Sequence, residues 1–149
     1  MSRRLYLDAA YRATAYIAET PAGRIVLRVD EVNGALDRLL VDSGVACWAY
    51  ISAHNPGSTP LSPAENDARH RELLTAAETA GYHFHEGTGV GEGWPSETSL
   101  LILGISEPEA VLLARQFEQL AILVGRHGEP VRLVWLEQVS ADGDAASGV

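Results

Sequence analysis

From Val45 to Ala53 the chain reads VACWAYISA, a nearly unbroken apolar run. A strand with one wet face alternates apolar and polar residues, so a run of this length without alternation is that of a strand buried on both faces. The other apolar stretches are organised around it. Ala13 to Glu19 and Arg24 to Asp30 are β-type runs separated by Thr20-Pro21-Ala22-Gly23, a hairpin signal. Tyr82 to Glu86 and Ser99 to Ile105 are two further strands. Leu120 to Val124 and Val131 to Leu136 flank a Gly/Pro turn and predict a hairpin; a helix extended to Gly125 is the alternative that periodicity leaves open.

Three helices fall between these runs. Asn33-Gly34 precedes apolar positions Ala35, Leu36, Leu39 and Leu40, and Gly44 supplies the stop. Ser62, Pro63 and Glu65 form a capping box with proline at the first helical position, predicting a helix to Ala80 that Gly81 ends. Ser106 and Glu109 repeat the box, and Ala110, Leu113, Ala114 and Phe117 form the buried stripe of a helix ending near Glu118. The order β-β-α-β-α-β-β-α-β-β predicts an α+β fold: a mixed, mostly antiparallel sheet of about six or seven strands packed with about three helices. Residues 1–139 are expected to form one domain, with a disordered acidic tail over 140–149. Gly87 to Gly93 is expected to be a mobile loop or lid, and Trp48, Trp94 and Trp135 to be core or rim aromatics.

With 149 residues, 46% of them hydrophobic, one domain can hide roughly 70% of its unfolded surface and needs no disulfide or structural metal. The single cysteine, Cys47, lies inside the apolar run and is expected to be a small buried hydrophobe. No apolar run approaches the ~20 residues that span a bilayer, and MSRRLYLDAAYRATAY contains no signal-peptide stretch. A cytoplasmic protein with no membrane partner is the expectation. The net charge of −9 argues against nucleic acid as a partner, since phosphate neutralisation needs a positive face.

Polar chemistry gathers in ISAHNPGSTPLSPAENDAR, Ile51 to Arg69, where a strand end passes through a loop into a helix. Positions 66, 69, 70, 73, 77 and 80 lie along one side of that helix. Leu73 and Ala77 turn this side toward the sheet, so Asn66 and Arg69 point toward the Asn55 turn. A guanidinium so placed must meet an anion or a ring of acceptors. One reading is a polar pocket lined by Asn55, Asn66 and Arg69, with Ser52, Glu97 and Gln119 around it, binding a small anionic or nucleotide-like ligand. Glu97 is then the candidate general acid or base. The other is that Asn66 merely brackets the Asn55 loop and Arg69 pairs with a structural carboxylate. Ser52 and His54 share a strand face, but nothing supplies the third member of a triad. His83 and His85 also share a face, without the HExxH or cysteine pair that would mark a metal site. The residues therefore specify neither metal nor cofactor. They leave a small-molecule ligand and a protein partner both open, and leave the oligomeric state undetermined.

Trp48 to Pro56, Asn66-x-x-Arg69, Glu97-x-Ser99, Gly104-Ile105 and Phe117-x-Gln119-x-Ala121 together resemble the bacterial family labelled DUF3293, a domain of unknown function. The likeness runs from about Tyr11 to Leu136. Its pattern of Ser/Thr-Ala-x-Asn-Pro followed by Asn-x-x-Arg matches Ser52, Ala53, Asn55, Pro56, Asn66 and Arg69. The resemblance implies a small bacterial cytoplasmic protein with no established activity, cofactor or partner, and a bulky aromatic in the place of His54. A protein-interaction or regulatory module and a nucleic-acid-processing domain are the alternative classes.

Overall fold

The computed structural model describes residues 2–93 and 95–136; the acidic tail from 140 and the reading of Trp94 lie outside the described residues. In chain order the elements are α1 (Arg3–Ala13), β1 (Ala15–Thr20), β2 (Gly23–Leu27), α2 (Gly34–Ser43), β3 (Cys47–Ser52), a 3-10 turn (Pro56–Ser58), α3 (Pro63–Thr79), β4 (His83–Val90), β5 (Glu97–Leu103), α4 (Glu107–Gln116), β6 (Ala121–Arg126) and β7 (Arg132–Trp135). The seven strands form one sheet in the order β2-β1-β4-β5-β3-β6-β7, and every neighbouring pair is antiparallel. This is a single α+β domain with one helix more than the three expected.

The central strand explains the layering. Within β3, Trp48 and Tyr50 project to one side of the sheet and Ala49 and Ile51 to the other, and all four are buried. Ala49 and Ile51 join Leu100 and Ile102 of β5 beneath Leu73 and Ala77 of α3 and Ala110 and Ala114 of α4. Trp48 and Tyr50 join Leu101, Leu103 and Leu123 against Leu36 and Leu40 of α2. The sheet thus carries a separate apolar cluster on each face, the condition that the unalternating sequence of β3 demands.

The helix signals act as read. Ser62 and Ser106 each accept from the backbone N–H three residues on, and Glu65 and Glu109 reach back to complete both capping boxes. Gly44 ends α2 in the left-handed region, φ 71°. Residues 120–125 are strand rather than helix: β6 pairs with β7 from Ala121↔Trp135 to Val124↔Arg132.

Two expectations are corrected. The first helix, α1, was not anticipated. Ser2 caps it by accepting from Leu5 N, and Asp8 and Arg12 pair across one turn, but the segment is polar on average and Leu7 is its only buried residue. The segment expected as a glycine lid is largely strand, since β4 continues through Gly87, Thr88 and Gly89 to Val90. Glycine is depleted in strands, which hid the element, but here β1 requires it. A Cβ at Gly87 would lie 1.8 Å from the Ile17 carbonyl oxygen.

Candidate functional site

The sheet face that carries Tyr50 is not fully filled by α2. Where α2 ends its coverage, α1 lies over the sheet, and between them is a cavity of ≈ 330 Å³. Ala10, Tyr11 and Thr14 of α1 roof it; Tyr16, Tyr50, Ser52, Ser99, Leu123 and Leu133 of the strands form its floor. Asn55, Glu97 and Gln119 stand at the end where β3 and β5 run into loops. The roof is fastened by side chains. Arg3 Nη2 donates to the Gly57 carbonyl at 2.6 Å, the Tyr11 hydroxyl meets Ser58 Oγ at 2.8 Å, and Trp135 Nε1 donates to Asp8 at 2.9 Å. The Arg4 guanidinium also lies over the Trp135 ring.

Asn55 organises the polar end. It takes a left-handed backbone, φ 49°, which asparagine tolerates better than most residues. Its N–H donates to Asn66 Oδ1, Asn66 Nδ2 donates back to Asn55 Oδ1 (both 2.9 Å), and Leu61 N–H shares that same Oδ1 at 3.0 Å. The amide is thereby held so that Nδ2 donates to Glu97 Oε2 at 2.8 Å. Glu97 Oε1 has no protein partner among the described residues. Burial pushes the Glu97 carboxyl above its ordinary range, and the Asn55 hydrogen bond offsets this only in part.

Most of the other polar side chains in the cavity wall direct their hydrogens into the protein. Tyr16 OH donates to the Tyr11 carbonyl (2.7 Å), Tyr50 OH to the Ile17 carbonyl (2.8 Å), Ser52 Oγ to the Thr98 carbonyl (3.1 Å) and Ser99 Oγ to the Glu97 carbonyl (3.2 Å). Gln119 Nε2 donates to the carbonyls of His54 (3.0 Å) and Phe117 (3.2 Å), satisfying the backbone where α4 gives way to β6.

Arg69 and Asn66 stand behind this wall rather than in it. Arg69 Nε donates to the Ala53 carbonyl at 2.6 Å, Nη2 to the Phe117 carbonyl, and Nη1 to Glu118 Oε1 at 3.4 Å. Its requirement for acceptors is met inside the fold, by two carbonyls and one mostly exposed carboxylate. Of the residues singled out in sequence, Ser52, His54, Asn55, Glu97 and Gln119 thus reach the cavity, while Asn66 and Arg69 position the loop that bounds it. Sequence reasoning missed Tyr11, Tyr16 and Tyr50. Tyr50 was within reach of it, being two residues before Ser52 on the same strand face.

His54 does not form a dyad with Ser52, whose Oγ instead accepts the His54 N–H at 3.0 Å. The His54 ring is edge-on to His70 of α3, centroids 6.3 Å apart, while His70 Nε2 meets Glu86 Oε1 at 2.9 Å. His54 Nε2 and His70 Nδ1 are buried without a hydrogen-bond partner among the described residues. Burial first, then the neighbouring His70, lowers the His54 pKa and favours its neutral form. No group of three or more His, Cys, Asp or Glu side chains placed to hold a metal ion occurs among the described residues. No described helix is long and apolar enough to cross a membrane.

Fold and site together define a seven-stranded antiparallel α+β protein with a tyrosine-floored cavity and a half-buried carboxylate in its lining. Over residues 51–122 the chain matches the model of the family described as Protein of unknown function (DUF3293), the family its motifs resemble. The match is narrower than the likeness read from Tyr11 to Leu136. It contains Ser52, Asn55, Asn66, Arg69, Glu97 and Gln119, and excludes α1, β1, β2, α2 and β7. No curated protein and no solved structure matches the chain.

Proposed function

We propose that this chain is a small-molecule-binding domain of the cytoplasm, with the cavity under α1 as its site. The observation that carries the reading is Glu97, a half-buried carboxylate of the cavity lining with one oxygen fixed by Asn55 and the other without a protein partner among the described residues. A volume of ≈ 330 Å³ falls at the small end of the roughly 300–1,000 Å³ of small-molecule pockets. Leaving a carboxylate unmatched in such a place costs stability, which a fold tolerates where the group has a use. The expectation of an anionic or nucleotide-like ligand depended on Arg69, and that guanidinium is engaged by Ala53, Phe117 and Glu118. If the domain is an enzyme, Glu97 is its general acid–base, a role suited to a carboxyl with a raised pKa.

The same Arg69 contacts favour the second reading, an interaction or regulatory module whose Asn55–Asn66–Arg69 cluster is architectural. A nucleic-acid-processing role has neither a positive face nor an arginine among the described lining residues to support it.

Mass spectrometry of small molecules released on denaturing the purified protein tests the proposal, with the cavity-filling variant Ala10→Phe as comparison. A compound carried by the parent protein and absent from the variant is the expected result. Identical profiles overturn it in favour of the interaction module.

A further inference from the structure

The cavity offers an approaching molecule acceptors and negative charge, and few donors. Tyr16, Tyr50, Ser52 and Ser99 each have one hydroxyl hydrogen, and each directs it to a backbone carbonyl. Both hydrogens of the Gln119 amide are likewise engaged. What these groups turn outward is oxygen lone pairs. The hydrogens left over are one on the Asn55 amide, whose other hydrogen is on Glu97, one from the Tyr11–Ser58 hydroxyl pair, and the single ring N–H of a neutral His54, whose Nε2 has no partner among the described residues. Glu97 Oε1 adds a carboxylate oxygen with no protein partner among the described residues. No arginine lines the cavity among the described residues, and the chain contains no lysine. His54 is driven toward its neutral form.

An anion here would meet a carboxylate and a wall of lone pairs, with no counter-charge to repay its desolvation. A neutral acceptor fares little better. A donor-rich cation would satisfy the open oxygens and bring Glu97 the counter-ion that burial denies it. The rest of the wall fits an apolar body, with Leu123 and Leu133 beside the tyrosines, whose rings also attract cations.

Resting on the reading of the cavity as a binding site, we propose that its ligand is an organic cation: a primary or secondary ammonium carried on a compact apolar or aromatic body, the ammonium hydrogen-bonded to Glu97 Oε1. The three aromatic hydroxyl groups accept from the same end of the ligand or from its waters, and the aliphatic side chains enclose its body.

Three probes of matched shape separate the classes: phenethylamine, phenethyl alcohol and phenylacetate. Binding is followed by chemical-shift titration of backbone amides in the full chain at neutral pH. Phenethylamine is expected to bind about 10- to 100-fold tighter than the other two, the worth of one charge-assisted hydrogen bond. Glu97→Gln keeps an acceptor for Asn55 and is expected to erase that advantage while leaving phenethyl alcohol unchanged. Ala10→Phe is expected to block all three without touching the carboxylate. If phenylacetate or the alcohol binds as tightly as the amine, or if Glu97→Gln leaves the amine's advantage intact, the cation inference fails while the cavity remains a binding site. If none of the three perturbs cavity amides, the inference fails, and the released-ligand comparison decides whether the cavity reading fails with it. The comparison of probes in the unaltered protein stands even if a variant does not fold.

Discussion

Asn55 and Asn66 grip each other through two hydrogen bonds of 2.9 Å, one from the Asn55 backbone N–H and one from the Asn66 side-chain amide. A left-handed loop residue is thus locked to the first turns of α3, and the lock aims Asn55 Nδ2 at Glu97. Replacing Asn66 with alanine removes both bonds and leaves the Asn55 N–H in a part-buried setting without its acceptor. The expected cost is about 1–3 kcal/mol, read as a lower urea midpoint at unchanged slope.

Arg69 closes the same loop from the other side, joining Ala53 at the end of β3 to Phe117 at the end of α4. Arg69→Ala is expected to destabilise the protein by about 2–3 kcal/mol, with Arg69→Lys recovering part of the loss because an ammonium cannot reproduce the forked geometry. Thermal melts of the pair check this. An unchanged melting temperature for Arg69→Ala would show that the guanidinium is not the bracket its contacts describe.

At Gly87 the β1 backbone leaves β4 no room for a side chain. A methyl there meets the Ile17 carbonyl oxygen at 1.8 Å and the Ala18 Cα at 2.9 Å, both backbone atoms that a rotamer change cannot move. Gly87→Ala is expected to cost about 3 kcal/mol or more, and amide exchange should show protection lost first in β1 and β2.

Two buried groups give the stability opposite pH slopes. The His54 pKa is lowered, so the folded state binds fewer protons than the unfolded one, and stability present above 6.5 is lost as the pH falls below it. His54→Phe, which installs the aromatic implied by the family pattern, is expected to flatten that loss. The Glu97 pKa is raised, so its contribution falls as the pH rises from 4.5 through the raised value. Glu97→Gln is therefore expected to be the more stable protein at neutral pH, with the gap closing toward pH 4.5. Denaturation midpoints across pH for both variants check the signs.

The elements that could be read from sequence are those whose signal is local. The unalternating run of β3, the capping boxes of α3 and α4, and the Gly/Pro turn between β6 and β7 each impose their structure within a few residues. The elements that escaped lack such a signal. α1 is polar on average and buries only Leu7, and β4 continues past the expected Glu86 through glycines that only the neighbouring β1 backbone explains. The site divides the same way. Helical spacing puts Asn66 and Arg69 on one side of α3, and of the two it is Asn66 that bonds Asn55. It cannot say what meets the guanidinium, because the carbonyls of Ala53 and Phe117 arrive from elements 16 and 48 residues away.

The attachment of α1 has a kinetic consequence. A roof that buries one side chain, and is held otherwise by surface contacts such as those to Gly57, Ser58, Asp30 and Trp135, is expected to lift at less free energy than the sheet unfolds. Residence time in the cavity is then expected to follow how often that helix detaches as well as how tightly Glu97 holds its guest. Hydrogen exchange across Arg3–Ala13 should be fast in the empty protein and slow once the cavity is filled, making the amino-terminal helix a reporter of occupancy.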